Sequence, residues 1–565
     1  MAERQKHPSA LPYLFFSEMW ERFGFYLMLG IFTLYMMDTE KGGLGFDRKT
    51  AFDIFGTYIA LVYLTPFLGG LLADRLFGCI KSVTLGGILM GIGYLLLAVK
   101  GMAFFYVALL LIIVGNGFFK PNISTLLGYT YNTDKYRALK DSGYNIFYMG
   151  INVGAFICNF FAAYLRHNFG WGHAFAAAGI GMFIGVIIFR IGLKHYKEVD
   201  VIKPTQPEDM PLSRIFSLVF LPALAAGAVG WLVPSNIFGS DSTDAFIFAC
   251  IPIIGFYLSL YFRASKQDKA PIGALLAIFA VVAVFWAVFK QNGTALTTWA
   301  ENYTDRSLPA MIEGPVSSIR LSQNISADMD TFAKYDAHFR TQKEDGELVK
   351  VVSQHPYFHN LPAAQNPGEG GEVNLISTEI FQSVNPFWVI VLTPLVVAFW
   401  ALLKRKNLEP STPSKIAWGL VISALSTLVM IAAVYVGSNG QVKVSPGWLI
   451  GCYGVITVGE LFLSPMGLSL VSKISPPRIT ALMMGGWFLS TSLGNKLSGI
   501  LATMWDNYDN KQYFFMVNFA LLGLAAVVTF LMMKWLKRVF NEYANNASSS
   551  AIKTAAPSLP VEEKY

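Results

Sequence analysis

Three ionisable residues lie together in the first apolar segment of the chain, where Glu18, Glu21 and Arg22 occupy positions i, i+3 and i+4. In a helix this spacing places all three on one face. An ionisable group at a bilayer centre costs about 2.5 to 3.5 kcal/mol on insertion scales, so that face must meet a partner or a watery cavity. A carboxylate that loses its cationic partner binds a proton more readily. The cluster therefore predicts either proton coupling or a structural ion pair between helices.

Further ionisable residues fall inside other apolar segments, at Lys120, Lys290 and Glu460. Each of them alone could be one half of a structural ion pair that joins two helices. Together with the first cluster they favour a charged, water-filled path through the protein.

The composition indicates a membrane protein. Apolar residues make up 54% of the 565 residues and charged residues only 14%, whereas soluble domains carry about 25% charged residues. The net charge of +7 does not indicate nucleic-acid binding, because the basic residues lie in short loops between apolar segments. The four cysteines are dispersed, so we expect neither a disulfide nor a metal site. We find no motif of an enzyme, and we expect no cofactor besides the coupling proton.

The apolar segments predict an all-α membrane protein with fourteen spans of about 20 residues or more. We expect an N-terminal six-helix bundle over 1–200, a linker and two additional helices over 201–268, a C-terminal six-helix bundle over 269–540, and a disordered tail over 541–565. The expected spans lie near residues 11–38, 51–77, 80–100, 102–127, 137–166, 171–196, 214–234, 243–264, 270–302, 380–405, 413–437, 446–473, 479–505 and 512–539.

Short loops rich in lysine and arginine stay cytoplasmic, and here they alternate so that both termini are predicted to be cytoplasmic. The long polar stretch 303–378 then lies outside, and we predict no fold for it beyond a small ordered cap. The first apolar segment holds three charges and has no cleavage site, so we expect it to be retained as a helix rather than removed as a signal peptide. The predicted location is the inner or plasma membrane.

The order of short motifs along the chain resembles the proton-dependent oligopeptide transporters of bacteria, a branch of the major facilitator superfamily. No single motif is decisive, but eight of them in the right spans and order are specific. They are Glu18-Met19-Trp20-Glu21-Arg22-Phe23, Tyr63 to Arg75, Gly115 to Ser124, Phe147 to Gly154, Phe285-Trp286-Ala287, Asn385-Pro386-Phe387, Gly459-Glu460-Leu461 with Ser464-Pro465, and Trp487-Phe488-Leu489 with Gly494-Asn495.

The resemblance implies a carrier that imports di- and tripeptides by proton symport, with two bundles rocking around a central site. A short peptide is a zwitterion with amide groups, so its site needs an anion, a cation, amide partners and apolar walls. The resemblance implies that Glu460 receives the peptide amino group and that Asn152 and Asn385 bind its backbone. The remaining substrate-binding residues that it implies are Tyr26, Tyr63, Lys120, Phe289, Lys290, Ser464 and Trp487.

The resemblance also implies the residues that couple and gate transport. Lys120 is expected to pair with Glu21 in one state and to release it in another, so that a proton replaces the ion pair. Asp74 and Arg75 are expected to belong to a cytoplasmic gating loop. The full proton-coupling set is Glu18, Glu21, Arg22, Lys120 and Glu460.

The chain departs from the family pattern at two positions that pair in some members. Lys290 stands where many members carry an acid, and Leu29 stands where bacterial members often carry an arginine. Two interpretations of Lys290 stay open: it binds the peptide carboxylate, or it extends along the mouth of the outer gate with its charge in water.

Two other functions remain possible on the sequence. Relatives of this family carry nitrate or other organic solutes, but a carboxylate placed for an ammonium group would repel nitrate. A non-transporting peptide sensor would use the same fold, usually with an added soluble domain, and the short tail offers none. The expected partners are a short peptide and the lipid bilayer, without nucleic acid, and we expect a monomer.

Overall fold

The computed structural model has two helical bundles, an accessory pair of helices and a small cap. Residues 201–210, which fall within the predicted linker, and the last residues of the predicted tail, 556–565, lie outside the residues that it describes. The described residues are 6–133, 135–200, 211–234, 236–318, 320–345, 347–362, 365–476 and 479–555.

Six helices form the N-terminal bundle. In it α3 packs on α4 and α6, α1 packs on α5 and α6, and α2 packs on α4. Small residues allow these close approaches: a Cβ placed on Gly86 would lie 2.5 Å from the carbonyl oxygen of Gly115. The helices are α1 (Ala10–Met37), α2 (Arg48–Leu72), α3 (Cys79–Leu97), α4 (Met102–Thr130), α5 (Lys140–Phe169) and α6 (Trp171–Ile191), with a π-helical turn at Ala73–Phe77 after α2.

The accessory pair follows the N-terminal bundle. Its first member is α7 (Leu212–Ile215), which continues through a π-helical turn (Phe216–Phe220) into α8 (Leu221–Leu232). Its second member is α9 (Asp241–Arg263), which packs on α8 and also contacts α2 and α10. The accessory pair therefore contacts both bundles.

The next predicted span is one apolar segment in sequence but two helices in structure. α10 (Lys266–Phe289) ends in a 3₁₀ turn (Lys290–Gly293), and α11 (Ala295–Asn302) follows it. Lys290 is the first residue of that turn. Its ammonium is therefore carried by a break in the helix rather than by a regular helical face.

The stretch 303–378 folds into a cap, which refines the prediction of an all-α protein. It contains α12 (Ala310–Ser318) and three antiparallel two-stranded sheets. A cavity of about 310 Å³ lies between the cap and the ends of both bundles. We call this end of the molecule the cap side. The strand pairs are β1 (Ser322–Ser326) with β6 (Glu372–Ile376), β2 (Asp330–Ala333) with β5 (Lys350–Ser353), and β3 (Lys343–Glu344) with β4 (Glu347–Leu348).

The C-terminal bundle is completed by five further helices together with α10. In it α14 packs on α15 and α17, α10 packs on α16 and α17, and α13 packs on α15. Between the bundles, α2 packs on α16 and α5 on α13. The five helices are α13 (Val384–Arg405), α14 (Thr412–Val436), α15 (Gly447–Ile474), α16 (Thr480–Thr503) and α17 (Lys511–Ala555).

The structure supports a multi-pass membrane protein. Among the described residues, 12 helical stretches are long and apolar enough to cross a membrane. α1 and α16 are not among them, although they have 28 and 24 residues. Fourteen spans are consistent with these helices, and that number stays a prediction.

The predicted disorder of the tail over 541–565 is wrong for its first part. α17 continues as far as Ala555. Alanine has the highest helix propensity, and the tail carries an alanine in nearly every turn up to Ala555. Proline, which interrupts helices, first appears at Pro557.

Candidate functional site

The charged face of α1 is buried inside the N-terminal bundle. Arg22 forms an ion pair with Glu21, and its Nε lies 3.6 Å from a carboxylate oxygen of Glu18. All three side chains are at most 2% exposed. The Asn116 amide, oriented to satisfy both of its partners, accepts from Arg22 and donates to the Val62 carbonyl, each at 3.2 Å. The arginine thus holds two carboxylates, while the other oxygen of Glu18 has no partner among the described residues.

Tyr63 lies between a lysine of each bundle. The Lys120 ammonium on α4 is 4.3 Å from the centre of the Tyr63 ring, and the Lys290 ammonium is 5.4 Å from it. Lys290 also lies 5.5 Å and 5.6 Å from the rings of Trp286 and Phe289. Within the described part of the chain, neither lysine has a carboxylate within the 4.0 Å that defines an ion pair. The predicted pairing of Lys120 with Glu21 is therefore not made in this state.

Glu460 on α15 is held by an amide rather than by a lysine. Asn385 on α13 donates to the Glu460 carboxylate at 3.2 Å and to the Thr457 hydroxyl at 2.8 Å. Thr457 is one helical turn before Glu460. A carboxylate that accepts only neutral donors keeps its negative charge available for an incoming ammonium group.

The accessible residues of the site mark a cavity between the bundles. Tyr148 on α5 has Tyr63 and Glu460 among its charged and polar neighbours, yet it is 47% exposed. A side chain that lies near groups of both bundles and stays this accessible faces internal space rather than lipid. Tyr148 is not among the predicted site residues. The predicted substrate-binding residues that are half-buried are Tyr26, Tyr63, Lys120, Asn385, Glu460 and Ser464.

Some predicted residues have local partners instead. The Asn152 amide donates to the backbone carbonyl of Tyr148, one turn earlier in α5, at 3.0 Å. Trp487 and Phe289 belong to the apolar core of the C-terminal bundle, where Trp487 packs edge-on against Phe279. Ser464 lies one turn after Glu460 on the same helix.

The predicted gating residues lie away from this cavity. Asp74 and Arg75 both belong to the π-helical turn Ala73–Phe77 that ends α2. The side chain of Asp74 lies outside the described residues. Arg75 is half-buried and has an interaction partner.

The sequence reasoning missed a polar contact that joins the bundles on the cap side. The ammonium of Lys496 on α16 lies 2.7 Å from a carboxylate oxygen of Asp53 on α2. Lys496 also donates to the Thr57 hydroxyl at 2.6 Å. From α9, Ser242 and Thr243 donate to the same carboxylate, Thr243 at 2.8 Å. The only sequence signal was a charged residue in each of two predicted spans.

Other contacts close the same end of the molecule. Arg166 on α5 pairs at 2.8 Å with Glu379, which is fully buried just before α13. Asn159 donates to Ser383 at 3.0 Å. A Cβ on Gly56 of α2 would lie 2.7 Å from the Cα of Gly499 on α16, so the two backbones touch. The bundles are thus joined on the cap side.

A profile of the POT family matches residues 80–314 and 371–518. The chain is also 30% identical over 533 residues to the uncharacterized transporter YclF of Bacillus subtilis, covering 92% of each chain. The chain belongs to the POT family. The predicted family and its major facilitator fold are therefore confirmed, as is the prediction of a transporter.

Named relatives and solved structures extend this result to nearly the whole chain. This POT protein is 30% identical to the peptide transporter YePEPT of Yersinia enterocolitica, over 95% of this chain and 96% of the relative. It is 26% identical to dipeptide and tripeptide permease A of Escherichia coli, over 97% of this chain and 96% of the relative. The crystal structure of a POT peptide transporter in complex with alafosfalin matches with a TM-score of 0.73 at 27% identity. The match covers 95% of this chain and 97% of the other.

This POT protein thus has the parts that a proton-coupled zwitterion carrier requires. The cavity carries an available carboxylate in Glu460, two ammonium groups in Lys120 and Lys290, and the amide of Asn385. A pair of buried acids around Arg22 lies in the adjoining bundle. Because these groups come from both bundles, a ligand that binds them is sensitive to the relative position of the bundles.

Proposed function

We propose that this protein imports di- and tripeptides together with protons, by alternating access between its two bundles. The observation that carries the proposal is the juxtaposition of Glu460, Lys120 and Lys290 between the bundles, where Glu460 and Lys120 are half-buried and Lys290 is buried. A peptide that places its amino group at Glu460 and its carboxylate at a lysine bridges the bundles. The di- and tripeptide transporters among the relatives support this substrate class.

The Glu18, Glu21 and Arg22 cluster is proposed to carry the proton. When Glu21 is ionised, Arg22 and Lys120 compete for it, and the structure has it paired with Arg22. Protonation of Glu21 would release whichever of the two cations is paired with it, which would change the charge that faces the peptide carboxylate. Movement of the bundles then depends on the proton, since each ionic contact holds only one of the two states.

The other proposed roles are those that the family resemblance implies. Asn385 orients Glu460 and binds the peptide backbone with Asn152, while Tyr26, Tyr63, Phe289 and Trp487 form tolerant walls and Ser464 adds a hydroxyl near the amino-group site. Asp74 and Arg75 gate the other end. We propose a monomer in the bacterial inner membrane with both termini cytoplasmic, no cofactor other than the coupling proton, and peptide and lipid as its partners.

Uptake into proteoliposomes with an imposed inward proton gradient tests this proposal. Dialanine, trialanine and nitrate are offered in parallel, and a proton ionophore is the control. We expect both peptides to accumulate above the equilibrium concentration and nitrate to remain at background, because Glu460 repels an anion. Accumulation of nitrate without peptide, or binding of peptide without transport, would contradict the proposal in favour of an anion carrier or a sensor.

A further inference from the structure

When Glu21 carries the coupling proton, the central cavity carries more positive charge than a simple dipeptide needs. Lys120 and Lys290 approach the same Tyr63 ring at 4.3 Å and 5.4 Å. The two ammonium groups are therefore within about 10 Å of each other, close enough to repel each other in a site of low dielectric constant. Aromatic rings stabilise a cation without neutralising it. Both charges thus remain available to an anion.

By count the three cations Arg22, Lys120 and Lys290 are matched by three acids, but on the proposed function Glu21 carries the coupling proton when peptide is bound, which leaves one positive charge in excess. Arg22 is in contact with both Glu18 and Glu21, so these carboxylates are directed at the guanidinium. Glu460 is hydrogen-bonded to Asn385. On the proposed function Glu460 takes the peptide amino group, and it is then no longer available to Lys290.

A dipeptide with apolar side chains brings one ammonium group and one carboxylate. Its carboxylate can pair with one lysine only, which leaves the second lysine in the closed site without an anion. An unpaired charge in a desolvated site is costly. A second carboxylate on the substrate removes that cost.

We propose that Lys290 makes this carrier selective for peptides with an acidic side chain, that is, with one carboxylate beyond the terminal one. The inference rests on the proposed function and deepens it. Consecutive Cα atoms lie about 3.8 Å apart, so a side-chain carboxylate on either residue of a dipeptide can reach the second ammonium while the terminal carboxylate occupies the first.

Because Lys290 is buried, it should distinguish strongly between a carboxylate and a neutral group on the peptide side chain. Lys290 is only 5% exposed and is surrounded by the rings of Tyr63, Trp286 and Phe289. A carboxylate that pairs with it does so with little competing water, where an ionic interaction is stronger than at a surface. A neutral isostere of the same shape leaves the buried ammonium without its partner and is rejected.

Equilibrium binding to the purified full-length protein tests the inference separately from transport. Glutamyl-alanine, alanyl-glutamate and their glutamine counterparts displace a labelled dialanine at neutral pH, where the glutamate side chain is ionised. We expect at least one glutamate peptide to bind roughly tenfold or more tightly than its glutamine isostere. Lys290→Gln should bring that ratio close to one, and Lys290→Arg should keep it.

The control is Lys350→Gln, which removes one positive charge from an exposed position on β5 of the cap and should leave the ratio unchanged. A ratio near one in the unaltered protein would overturn the inference, as would a ratio that survives Lys290→Gln. Either result, with dialanine still bound, leaves the proposed function intact. Failure of dialanine and of all four peptides to bind would overturn both.

Discussion

Lys496 of α16 and Asp53 of α2 form an ion pair of 2.7 Å that connects the two bundles on the cap side. Lys496 is 1% exposed, so removal of Asp53 leaves a buried charge without a counterion. Loss of one partner of a buried pair costs about 3 to 5 kcal/mol. The pair therefore contributes to holding the cap side closed, and its loss should favour the opposite state.

We predict that Asp53→Asn opens the cap side. Spin labels are placed at Lys100 and Gln441, which are both exposed. Electron paramagnetic resonance should show a new population of molecules in which the distance between the two labels is longer. The double variant Asp53→Asn with Lys496→Gln should open less than the single variant, because no buried charge is left unpaired. Identical distance distributions in the unaltered protein and in Asp53→Asn would contradict this role.

The accessory helices are predicted to support the same ion pair. Ser242 at the start of α9 donates to Asp53, and a hydrogen bond to a charged group contributes about 1.5 to 3 kcal/mol. Ser242→Ala should lengthen the same label distance, though less than Asp53→Asn does. It should have no further effect once Asp53 is Asn. Ser259→Ala, which removes a hydroxyl that donates only within α9, is the matched control.

Glu460 should recognise the amino group of the peptide. Glu460→Gln keeps the shape of the side chain but loses its charge, so dialanine should bind about 10- to 100-fold more weakly. N-acetyl-dialanine has no ammonium group, so it should bind the unaltered protein more weakly than dialanine does. Glu460→Gln should change its affinity little. Competition assays with both ligands measure this difference. Equal losses for the two ligands would show that Glu460 acts through the structure of the cavity and not through the amino group.

Lys443 is predicted to make the stability of the cap depend on pH. It is 7% exposed on the cap side, and its ammonium donates to the Asn302 carbonyl at 2.8 Å. Burial, followed by the charge of Arg306, lowers its pKa from 10.5 to about 7. Between these values the unfolded chain binds more protons than the folded one, so Lys443 contributes increasing stability as the pH rises from about 7 to 10.5.

The variant Lys443→Met removes this titration. As the pH is raised from 7 to 10.5, the Tm of the unaltered protein should therefore rise relative to the Tm of the variant. Lys350→Met, at an exposed lysine of the cap, is the matched control. A difference that stays constant or moves in the other direction would show that Lys443 does not titrate in this way.

Much of the helical framework could be predicted from the sequence, because the spacing of apolar residues determines it. The prediction of α1 from about residue 11 to 38 agrees with Ala10–Met37, and the i, i+3, i+4 spacing placed Glu18, Glu21 and Arg22 on one buried face. The spans and motifs also indicated the family. These features depend on local pattern, which one sequence contains.

Contacts between distant parts of the chain could not be predicted in the same way. Asp53 and Lys496 are 443 positions apart, and nothing in one sequence pairs them. The break after α10 is equally a tertiary feature: Thr33 of α1 donates to the Gly293 carbonyl at 3.0 Å, and a Cβ at Gly293 would collide with the Phe55 ring. The turn that carries Lys290 is thus in contact with the other bundle, and this packing cannot be seen in local helix propensity.

Protons are proposed to enter together with peptide through the cluster of Glu18, Glu21 and Arg22. A pH-sensitive dye inside proteoliposomes, without any imposed gradient, measures this directly when dialanine is added outside. We predict that the internal pH falls as dialanine enters, and that Glu21→Gln abolishes the fall while counterflow of labelled dialanine continues. Entry of dialanine with no change of internal pH in the unaltered protein would contradict this proposal.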